Sequence, residues 1–102
     1  MPAHESDQEL ISMAGKIDAE KVPDYHMELY KRAKKLSLAE RKKFYHRVIA
    51  AANKNTANMT MEEFENHMEA IQKAIRARVA KMTRTQFDAT GLRLDGKLPY
   101  TN

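Results

Sequence analysis

Residues 37–52 read SLAERKKFYHRVIAAA. Ser37 and Glu40 stand three apart, in the S/T-x-x-E arrangement of a capping box. In that motif the hydroxyl accepts the N–H of the third helical residue, and the glutamate accepts the N–H of the cap itself. Phe44, Tyr45, Val48, Ile49 and Ala52 then recur at intervals of three and four, which places them along one side of a helix. A start signal followed by a helical period predicts a helix over 38–53. The same pairing occurs at Ser6/Glu9 and at Thr60/Glu63. All three are followed by apolar residues at helical spacing, so the chain announces three helix starts by one device.

Working outward, the first start predicts a helix over 7–20, with Leu10, Met13, Ala14 and Ile17 on one face. Gly15 lies inside it and weakens it by about 1 kcal/mol relative to Ala. Pro23 fits a helix entry and opens a predicted helix over 24–35, whose apolar face is Tyr25, Leu29, Ala33 and Leu36. The run NKNTANM, residues 53–59, is rich in turn formers and predicts a loop. The third box opens a helix over 61–82, with Phe64, Met68, Ile71, Ile75, Val79 and Met82 in a narrow line. Such a seam suits a coiled-coil-like contact. Its partner is expected to be the helix over 7–20; the alternative is a second copy, which would make a homodimer.

Residues 88–102 differ. They hold two glycines and a proline and have no helical period. Asp95-Gly96 is a hairpin signal, but the flanking residues would mix polar and apolar side chains on each face, and Pro99 removes a ladder donor. An extended or weakly ordered tail is expected, with Leu92, Leu94, Leu98 and Tyr100 available to dock on this chain or on a partner. The fold class is therefore all-α: one domain over 1–87, a bundle of about four helices, and a non-helical tail over 88–102.

Composition bounds the function. A chain of 102 residues is one domain's worth. The absence of cysteine excludes a disulfide framework and suits a reducing compartment. No apolar run approaches a membrane span. The expectation is a cytoplasmic protein that does not enter a membrane. His4, His26, His46 and His67 are scattered singly, with no i, i+4 pair, so no metal site is expected. Three glycines cannot build a phosphate loop, and no cofactor is expected. Glu62, Glu63, Glu65 and Glu69 stand where acids favour a helix N-terminus. No nucleophile has a partnered base, and the chain is read as a non-enzyme.

Charge carries the functional signal. Residues 1–30 hold two bases and seven acids, residues 31–59 nine bases and one acid, and residues 60–102 seven bases and six acids. On a helical projection Lys31, Lys34 and Lys35 point away from Leu29 and Leu36. Lys43, Arg47 and Lys54 point away from Val48 and Ile49. A solvated face usually mixes Lys with Glu; here the sign is nearly uniform. These six bases, with Tyr30 among them as a stacking candidate, are the expected binding surface. The function expected is that of a small regulatory protein that binds and modulates a protein partner, one engaged in nucleic-acid metabolism. The alternative is direct, largely sequence-nonspecific binding of DNA or RNA by the basic face of residues 31–54.

Overall fold

The computed structural model describes residues 4–99. Five α-helices and one 3-10 turn make up its regular structure, and no strand occurs among the described residues. Helix α1 spans Asp7–Ser12, the 3-10 turn Ala19–Lys21, α2 Val22–Ala33, α3 Leu38–Thr56, α4 Met61–Val79 and α5 Arg84–Thr90.

The three capping boxes form as the sequence predicts. Ser6, Ser37 and Thr60 are extended N-caps, each accepting from the amide of the glutamate three residues on, and each glutamate accepts the cap's N–H in return. A fourth box opens α5, with Thr83 as cap and Gln86 in the place of glutamate. A neutral amide oxygen serves there as well as a carboxylate, which is why a search for Glu alone misses this helix.

Helix ends depart from the expectation for identifiable reasons. The helix expected over 7–20 stops at Ser12, because Gly15 takes a left-handed backbone (φ +82°) close against the backbone of Ala52. The Asn55 amide donates to the carbonyls of Ser12 and Ala14, at 3.1 and 2.8 Å, and so satisfies acceptors that α1 leaves open. That contact lies within the run expected as a loop, where α3 continues to Thr56. Helix α2 is displaced towards the N-terminus: it starts at Val22, after the 3-10 turn, and ends at Ala33, where Arg41 donates to the carbonyls of Ala33 and Leu36. Helix α4 ends at Val79, not 82, since Thr83 must be extended to cap α5. Residues 88–90, expected in the tail, belong to α5.

Two apolar cores share α2. The first gathers Leu10, Ile11 and Ala14 from the α1 segment, Tyr25, Leu29 and Ala33 from α2, and Phe44, Tyr45 and Val48 from α3. Buried Tyr25 donates its hydroxyl to the Leu10 carbonyl at 2.7 Å. Arg32 closes one edge by pairing with Glu28 and with Asp7 of α1, at 2.8 and 2.9 Å. The second core joins Val22, Ile71, Ile75 and Leu92, with Ile17, Ala19, Met68, Val79 and Phe87 packed against it. The seam of α4 is thus met by the segment around the 3-10 turn, by α2 and by Leu92, rather than by α1. Each fully buried aliphatic side chain contributes roughly 1.5–3 kcal/mol.

The tail docks on its own chain. Gly91 ends α5 in the left-handed conformation, φ +73°. Leu92 enters the second core, Leu98 packs against the first, and Pro99 is fully buried. Gln72 of α4 donates to the Asp95 carbonyl at 2.9 Å. Leu94 is exposed, and Tyr100 lies outside the described residues.

Two stability outcomes follow from these contacts. Thr83→Ala should destabilise the fold by about 0.5–2 kcal/mol in urea denaturation; no change would mean that α5 does not depend on its box. A Cβ at Gly91 would lie 2.3 Å from the Tyr30 ring carbons, so Gly91→Ala should cost about 2–4 kcal/mol from backbone strain and overpacking together. Tyr30→Ala in the same chain should remove the overpacking share, giving a clear departure from additivity. Simple addition of the two single losses would refute the contact.

Candidate functional site

All six bases selected from the sequence, Lys31, Lys34, Lys35, Lys43, Arg47 and Lys54, are exposed. Three of them share one surface feature. Helices α2 and α3 contribute their inward faces to the same core. Lys31, Lys34 and Lys35 surround an open depression between α2 and α5, lined also by Met27, Tyr30, Ala89 and Thr90. Lys43, Arg47 and Lys54, on α3, are not among its lining residues.

Tyr30 has a structural task. Its ring lies against Gly91, and the Lys34 ammonium sits 5.3 Å from the ring centroid, within cation–π range. The ring is partly buried, and through these contacts it anchors the end of α5. Leu92 and Leu98 are likewise engaged within the chain, and of the tail residues proposed for docking Leu94 alone is exposed among those described.

A second feature was not read from the sequence. Helices α3 and α4, joined by a short turn, splay apart and leave a half-open cleft of about 270 Å³. Ile49 and Phe64 stand on opposite walls; both are partly exposed, although each was expected on an inward stripe. The α1 turn at Ala14 and Gly15, the tail segment Gly96–Leu98, and Tyr25 and His26 of α2 close it. His26 is only 6% exposed, and its Nδ1 has no hydrogen-bond partner among the described residues. Burial pushes its imidazole down to about 4, so the ring is neutral at neutral pH. One signal was available in the sequence: His26 follows Val22 by four and precedes Leu29 by three, which puts it on the buried side of α2.

Among the described residues, no three His, Asp or Glu side chains come together as a metal ion would require. No helix there is long and apolar enough to cross a membrane.

Residues 3–92 match the protein family described as "Protein of unknown function (DUF1104)". The chain belongs to that family. The matched segment contains all five helices, the left-handed Gly91 and both walls of the cleft, and it ends at Leu92, where the tail enters the second core. No curated protein and no solved structure matches the chain. The DUF1104 match therefore identifies kinship, and the chemistry has to be read from the surfaces described above.

Burial of His26 makes stability depend on pH in a defined window. The unfolded chain binds the proton near pH 6.5 and the folded chain only near 4, so the unfolded state holds more protons in between. Stability is full above about pH 6.5 and falls as pH drops towards 4, by about 3 kcal/mol in all. Glu9, Glu40 and Glu63, whose carboxyls are held low by hydrogen bonds from their caps, add losses only below their ordinary value of 4.5. The melting temperature should decline between pH 6.5 and 4.5, and His26→Leu should flatten that decline. An unchanged decline in the variant would assign it to other groups.

Proposed function

We propose that this chain is a non-enzymatic regulatory module that captures an acidic protein surface on the α2–α5 depression. The observation that carries this reading is the lining of that depression. Three exposed lysines stand around it, no lining residue is acidic, and Met27 offers a flexible thioether beside them. Uniform charge steers an oppositely charged partner, and an adaptable apolar side chain suits protein contacts. The depression is also walled by α5, which Thr83 and Gly91 fix in place, so its shape is preorganised.

The presence of only three of the six bases in the depression's lining favours a protein partner over a nucleic acid. A duplex tracks a continuous basic stripe, whereas the depression supplies three bases. The two readings differ in salt dependence. Each neutralised phosphate of duplex DNA contributes roughly −0.9 to the log–log salt slope.

The decisive comparison uses two triple variants in the full chain, Lys31/Lys34/Lys35→Glu and Lys43/Arg47/Lys54→Glu. Both should fold, since all six side chains are exposed. In pull-downs from nuclease-treated lysate the first variant should lose its partner and the second should keep it. Loss of capture on nuclease treatment, with a slope near −5 for purified duplex that both variants abolish, would replace this reading with direct nucleic-acid binding. Undiminished capture by the first variant would show that the lysines form only a solvated face.

A further inference from the structure

Helices α3 and α4 have 19 residues each and are joined by a short turn, yet they scarcely touch. Their cleft leaves apolar side chains uncovered. Ile49 on one wall and Phe64 on the other are 38% and 36% exposed. Leu38 and Met61, the first residues of the two helices, are 66% and 67% exposed. Helical spacing sets Leu38 on the side of α3 that carries Ile49, and Met61 on the side of α4 that carries Phe64 and Met68. Ile71 and Ile75, further along α4, are buried. The exposed part of that apolar line thus belongs to the first half of the helix.

The two walls differ in charge. Residues 38–47 of α3 hold four bases, Arg41, Lys42, Lys43 and Arg47, and one acid, Glu40. Residues 61–70 of α4 hold four acids, Glu62, Glu63, Glu65 and Glu69, and no Lys or Arg. Exposed Lys42 and His46 continue the line of Ile49 and Asn53, and exposed Glu65 falls between Met61 and Met68 on theirs. A uniformly acidic or basic peptide laid in this groove would suit one wall and be repelled by the other. A second copy suits both.

We propose that the α3–α4 cleft is the interface of a homodimer in which α3 of each copy packs on α4 of the other. A two-fold rotation reverses α3; since α4 turns back from α3, the reversed helix runs parallel to the α4 that it meets, and the contact occurs twice. Aligned start to start, Leu38 meets Met61, Lys42 meets Glu65 and His46 meets Glu69, because the members of each pair hold the same place in their helices. Asn53 and His67, which also line the cleft, suit the hydrogen bonds and waters that such interfaces carry. The Thr56 hydroxyl is already engaged, donating to the Ala52 carbonyl at 2.8 Å.

Sedimentation of the full chain should show a monomer–dimer equilibrium with a Kd of about 1–100 µM. Phe64→Gln should fold, by circular dichroism, and weaken self-association about tenfold or more, as loss of an interfacial aromatic does. Lys42/His46→Glu and Glu65/Glu69→Lys should each be monomeric alone. Mixed together they should form a heterodimer, because every reversed charge then meets its opposite. Lys31/Lys34/Lys35→Glu should dimerise as the native chain does, since that surface is distinct. A mixture of isotope-labelled and unlabelled native chain needs no substitution; it should show methyl contacts between Leu38 of one copy and Met61 of the other. A native chain that stays monomeric to about 1 mM would overturn the proposal and leave the groove to a small molecule or another protein. Undiminished association of Phe64→Gln, failure of the folded charge-reversed variants to pair, or a native dimer without the Leu38–Met61 contacts would equally overturn it.

Discussion

Helix α2 has to serve two cores at once. Its twelve residues pass Tyr25, Leu29 and Ala33 to the core shared with α1 and α3, and Val22 to the core shared with α4 and Leu92. Ile17, which packs against both cores, is a second link between the halves. The same demand accounts for the position of His26. A residue on the side of α2 that lies between two cores is buried whatever its chemistry, and here it borders the cleft left where α3 and α4 diverge. Tyr25 and Arg32 then tie α1 to this helix by the hydroxyl bond to Leu10 and the ion pair to Asp7. Short as α1 is, it is held by partners rather than by its own length, as expected for a single turn and a half.

Much of the fold was legible because it is written locally. A capping box needs only two side chains three apart, and Ser6, Ser37 and Thr60 all sit where that rule puts them. What could not be read are the features decided at a distance. The end of α1 depends on Gly15 meeting Ala52 and on Asn55 reaching its carbonyls. The extension of α3 to Thr56 overrides a run of poor helix formers because Asn55 finds acceptors at the end of α1 and just beyond it. The box at Thr83 is less conspicuous for a different reason: glutamine fills the role that glutamate has in the other three.

For the candidate sites the balance is similar. Exposure of the lysines follows from helical period, but period says nothing of how one helix back is oriented relative to the next. Of the basic stretch, Lys31, Lys34 and Lys35 come to line one depression with α5. The cleft was invisible altogether, since Ile49, Phe64 and His26 come from three different helices and acquire a common meaning only when those helices pack. That the apolar tail residues Leu92 and Leu98 pack on separate cores of their own domain is a tertiary fact.

The contact between Gly91 and Tyr30 has a consequence for how such a sequence can diverge. At most surface positions near a helix end, drift is nearly free. Here the left-handed backbone admits few residues other than glycine, and the ring fills the space that any side chain would need. The two positions therefore form one heritable unit despite their distance along the chain. A lineage that shrinks the ring relaxes the steric half of the constraint but keeps the backbone half. A lineage that replaces the glycine first must pass through a strained intermediate, so the order of change is biased from the outset.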